Sequence, residues 1–69
     1  DLNPSGPQNV EQATAALVGR SLDVVATIPW TVRVVREDGV ALAATADFQP
    51  QRVNVVVENG TITEVLGLG

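Results

Sequence analysis

The sequence predicts a small α+β domain, a helix packed on a sheet, and three observations carry that expectation. A stretch opening at Asn9 has helical apolar spacing, residues Thr31 to Arg36 alternate as a half-buried strand does, and Asn59-Gly60 joins two β-rich runs. At 69 residues there is room for one domain with one core, and a domain of this size buries only about 60% of the surface its unfolded chain exposes. The 45% hydrophobic content, mostly Val, Ala, Leu and Ile, suits an aliphatic core with little stability to spare.

Residues 1 to 8 carry two prolines and a glycine without an apolar period, and read as a flexible N-terminal arm ahead of a domain at 9 to 69. Asn9 then caps a helix: Glu11 meets its positive end, Gln12 stands three residues after the cap, and Val10, Ala13, Leu17 and Val18 form the apolar stripe. Gly19 is a natural stop. Ser21 can cap a second helical stretch, Leu22 to Ile28, ended by Pro29; the β-branched Val24, Val25, Thr27 and Ile28 weaken it. Trp30, after that proline, reads as packing.

From Thr31 to Arg36, Val32 and Val34 share a face opposite Arg33, with Val35 blurring the alternation. Val53 to Glu58 and Thr61 to Leu66 are the next strands. Asn59-Gly60 between them is a hairpin signal, because both turn positions need positive φ. The same residues with Thr61 match a glycosylation sequon, which the turn already accounts for.

Composition narrows the function. Without cysteine there is no disulfide, thiolate chemistry or Cys-based metal site, and without histidine the usual general base and metal ligand are missing. Neither catalysis, a metal nor a cofactor is expected; Glu37 and Asp38 read as a solvated tip. Net charge −4 and only two aromatics disfavour nucleic acid and anionic membranes, and no apolar run is long enough to span a bilayer.

Between the first two strands lies Gly39 to Gln51, long for an unstructured connection in so small a domain. It opens as Gly39-Val40-Ala41-Leu42-Ala43-Ala44 and continues Thr45-Ala46-Asp47-Phe48-Gln49-Pro50-Gln51-Arg52. Apolar side chains on an extended loop point to insertion in a partner's cleft. A buried helix or strand over Val40 to Ala46 is the competing reading, because short apolar runs are ambiguous. Thr45, Asp47 and Arg52 favour the loop: a hydroxyl, a carboxylate and a guanidinium can brace it extended while its backbone stays accessible.

At these residues the sequence resembles the potato inhibitor I family of serine protease inhibitors, particularly its bacterial and fungal relatives. The resemblance is strongest from Thr45 to Asn54, Thr-Ala-Asp-Phe-Gln-Pro-Gln-Arg-Val-Asn, and extends weakly to Leu17-Val18-Gly19-Arg20-Ser21, Pro29, Val32 to Val35 and the closing strand to Gly69. It implies a helix on a mixed sheet, with the first two strands parallel, the last pair antiparallel, and a long exposed reactive loop. It implies a reactive bond between Ala46 and Asp47, with Ala43, Ala44, Thr45 and Phe48 against the protease. Arg52 and Gly69 would support the loop, and Asn54 stands where plant members often carry a second supporting Arg. Two departures stand out: Gly39 to Thr45 looks longer than in plant members, and the cysteine pair of many microbial relatives is missing.

The resemblance implies a secreted inhibitor of serine proteases, expected to be monomeric. An opening at Asp1 fits a mature product or a trimmed chain, whereas the lack of cysteine pulls weakly against secretion. Ala46 suits the small or permissive pockets of elastase-like and subtilisin-like enzymes, with chymotrypsin-like enzymes behind them, and supplies no cation for a trypsin-like pocket. The alternative is a noncatalytic adhesion or assembly module, or a designed chain on this scaffold, binding a nonprotease partner by its loop or strand edge.

Overall fold

The computed structural model describes residues 6–42, 49 and 51–69. Its elements are a helix α1 (Val10–Leu17), a short 3₁₀ helix (Leu22–Thr27), and strands β1 (Val32–Glu37), β2 (Val40–Ala41), β3 (Val53–Glu58) and β4 (Thr61–Leu68). The strands form one mixed sheet in the order β2-β1-β3-β4. This is the α+β arrangement expected, with β1 and β3 parallel and β3 and β4 antiparallel.

α1 starts at an extended Asn9 whose side chain accepts the Gln12 N–H at 2.8 Å, satisfying a helix-end donor that has no partner within the helix. Gln12 reciprocates one residue further out, its Oε1 accepting the Gln8 N–H at 2.6 Å. Ala13 and Leu17, one turn apart, are fully buried, while Val10 and Val18 are exposed. The stripe is narrower than expected because the chain turns extended at Val18 and leaves the helical face. Gly19, at φ 88°, then sends it to the sheet, where Gly19 N–H donates to Ile62 O and Ile62 N–H to Arg20 O, both at 2.8 Å. This pairing covers the start of β4, an edge strand that would otherwise present open backbone groups.

The second helical stretch forms, but as 3₁₀ and only to Thr27. Crowded β-branched side chains weaken an α-helix there, and Pro29 requires an extended residue before it, the conformation of Ile28 (φ −114°, ψ 153°). Leu22, Val24, Val25 and Ile28 lie half-buried against the core.

In β3, Val53, Val55 and Val57 alternate onto one face and are fully buried, in a core shared with Ala13, Leu17, Ile62, Val65 and Trp30. Trp30 is thus a core residue, as expected. The hairpin turn has Asn59 at φ 52° and Gly60 at φ 75°, the left-handed pair that a two-residue turn requires. β4 runs two residues beyond Leu66, to Leu68.

One expectation needs correction. The connection from β1 does not open as loop at Gly39: Asp38 (φ 51°) and Gly39 (φ 83°) make a second tight turn, and Val40–Ala41 pair antiparallel with Glu37 and Arg36. An Asp-Gly pair takes positive φ at low cost, so the chain folds back at once. The competing reading of Val40 to Ala46 as buried fails at its start, where Val40 is 62% exposed. The arm at 1 to 8 is packed at its described end, with Gly6 and Pro7 buried.

Candidate functional site

Parallel pairing of β1 with β3 dictates the course of the chain between them. The connection must return the length of the sheet, about 20 Å for a six-residue strand, and such a return is usually helical. Here its described part holds only β2 and a turn at Gln49 to Arg52, closed by the Arg52 N–H on Gln49 O at 2.9 Å. The Leu42 N–H donates to Val35 O at 3.0 Å, so the outgoing chain is held along β1 to that residue. Val35 itself falls where the parallel register shifts, between Val34 and Arg36, which is the structural reason its sequence blurs the alternation.

Ala43, Ala44, Thr45, Ala46, Asp47 and Phe48, the expected protease-contacting residues and reactive bond, lie outside the described residues. The expected supports lie within them. Arg52, at the entrance to β3, is only 7% exposed. One of its terminal guanidinium nitrogens, Nη2, donates to the main-chain oxygen of Gly69 at 2.8 Å, and Gly69 N–H donates back to Arg52 O at 2.8 Å. With its amide on Gln49, Arg52 is fixed through backbone and side chain together. Arg52 and Gly69 are therefore brought into contact.

Asn54 follows two residues along and, by the alternation of a strand, shares Arg52's face, opposite the valines that meet α1. Its Oδ1 accepts from Arg33 Nε at 3.0 Å, and its Nδ2 approaches Gly67 O at 3.4 Å, so it ties β3 to both neighbours. Arg33 stands opposite Asn54 in the parallel register, and Gly67 opposite it in the antiparallel one. Arg33 and Gly67 were not foreseen as supports, since only the register puts them beside Asn54. The alternation signal gave Arg33 its face and no more.

This arrangement holds the entrance to β3 by hydrogen bonds to the segments on either side. Among the described residues no three His, Cys, Asp or Glu side chains gather as a metal site, and no helix there is long and apolar enough to cross a membrane. Two guanidinium groups, of Arg33 and Arg52, stand on one sheet face, Arg33 beside Asn54 and Arg52 at the entrance to β3. Searches of protein-family models, curated proteins and solved structures find no match to this chain.

Proposed function

We propose that the chain is a noncatalytic, secreted inhibitor of serine proteases that presents the connection from Gly39 to Gln51 to the enzyme's active site as a substrate would. The observation that carries this reading is the fixation of Arg52: a buried guanidinium held on Gly69 at the point where the connection enters β3. A linker needs no such anchor. A loop that must keep its shape inside another protein's cleft does, because ordering lost beforehand in folding is not lost again on binding.

The reactive bond in this proposal joins Ala46 to Asp47, flanked by Ala43, Ala44, Thr45 and Phe48. A protease attacks the Ala46 carbonyl held in its oxyanion hole and would release the Asp47 amine. A scaffold that keeps this amine beside the acyl carbon lets religation compete with hydrolysis, since a tethered nucleophile acts at very high effective molarity. Contact over about 1,600 Å² in total is enough for a stable complex. Ala46 directs the inhibitor to subtilisin-like and elastase-like pockets, then to chymotrypsin-like ones.

Exposure of Val40 on the two-residue edge strand β2 favours a second reading, an adhesion or assembly module that recruits a nonprotease partner along that edge. Incubation with subtilisin, pancreatic elastase, chymotrypsin and trypsin, followed by residual activity, separates the two. Stoichiometric inhibition of subtilisin and elastase is the expected result. Digestion of the chain without inhibition of any enzyme would sink the inhibitor reading and leave the edge-binding one.

A further inference from the structure

We infer that Gly6 and Pro7 form a strut under the C-terminal end of the connection, and that Gly6 and Gln51 are positioning residues for the proposed reactive bond; this rests on the inhibitor reading. The composition of residues 1 to 8 is that of a tail, yet Pro7 is among the most deeply buried side chains of the domain. Gly6 has φ +125°, a backbone conformation that side chains rarely adopt. A methyl group on it would lie 2.8 Å from Gln51 Cβ, 2.8 Å from Gln51 Oε1 and 3.0 Å from Gln51 O. The bare glycine backbone therefore lies directly against Gln51, and nothing larger fits without moving it.

Gln51 belongs to the turn that the Arg52 N–H closes on Gln49 O, the joint between the connection and β3. At its other end the strut is tied to the helix, because Gln8 N–H is held by Gln12, whose own amide is held by the Asn9 cap. A continuous path thus runs from the cap of α1 through Pro7 to the joint. The joint follows Asp47 in sequence, and so belongs to the side of the proposed reactive bond that carries the new amine after attack. Fixing that side favours religation, which is where a displacement of about 1 Å is costly.

The test is a double-mutant cycle of Gly6→Ala and Gln51→Gly, read by subtilisin inhibition and by hydrogen exchange of the Arg52 amide. Gly6→Ala should weaken inhibition about ten- to a hundredfold and accelerate Arg52 exchange more than exchange of Val55 or Val57 in the core. Both effects should shrink measurably when the change is made in Gln51→Gly, where the obstructing side chain is gone and only the Gln51 main-chain contact and the cost of positive φ at residue 6 remain. If Gly6→Ala alone does not fold, Gln51→Gly alone, which removes the seat from the other side, should still speed Arg52 exchange selectively. Unchanged inhibition and exchange in Gly6→Ala would overturn the strut while leaving the inhibitor reading in place. Acceleration spread evenly over the core, with no coupling to Gln51, would overturn it as well. A parent chain that inhibits neither subtilisin nor elastase would instead fail the inhibitor reading, and the positioning role with it.

Discussion

Replacing Arg52 with Ala should do more harm than its place at the mouth of a connection suggests. The change removes a charged donor that meets Gly69 O at 2.8 Å in a residue only 7% exposed. A hydrogen bond from a charged group contributes about 1.5–3 kcal/mol. Two buried methylenes of the stem add about 0.8 kcal/mol each. Relief from burying a charge offsets part of this, leaving a loss of about 2–4 kcal/mol. In a domain of this size that lowers Tm by roughly 15–30 °C. Scanning calorimetry of Arg52→Ala beside Arg20→Ala, a change at an exposed position, measures it. Arg20→Ala should stay within about 0.5 kcal/mol of the parent. If both variants unfold together, the Arg52 to Gly69 contact does not anchor the end of the connection, and the reasoning from its burial is wrong.

Leu17→Ala removes a fully buried side chain between α1 and the sheet and should cost about 2–5 kcal/mol in urea unfolding. Where this variant remains folded, its loss of subtilisin inhibition should be small beside that of Gly6→Ala, because Leu17 lies at the opposite end of α1 from the Asn9 cap that carries the strut. Ala46→Arg should lose elastase and gain trypsin in inhibition assays, and Ala46→Asp should lose all of the enzymes, whereas edge-mediated assembly would be indifferent to either change.

How far the fold could be read in advance varied with how local its cause was. β3 runs over the residues expected, Val53–Glu58, because alternating valines and the Asn59-Gly60 turn are both signals within a few positions. Asp38-Gly39 is the same kind of signal, and the turn there is equally legible; the return strand after it is not, because only Val40 and Ala41 among the described residues of the apolar run pair. Where the cause is tertiary, the sequence is silent. Burial of Pro7 depends on a helix cap and a distant turn meeting at Gly6, and no pattern within residues 1 to 8 reports it. For the candidate site, the motif around Arg52 and Gly69 could be named from sequence, and these residues are in contact. Arg33 and Gly67 could not, because their place beside Asn54 exists only once the strand register is set.

The measurement closest to the central claim is the intact mass of the chain during long incubation with a small amount of active subtilisin, followed by fragment sequencing. The account predicts one slowly formed species, heavier by one water, cut between Ala46 and Asp47 and still held together as a folded, inhibitory protein. Prompt cleavage at several bonds, with the fragments falling apart and the enzyme fully active, would contradict it.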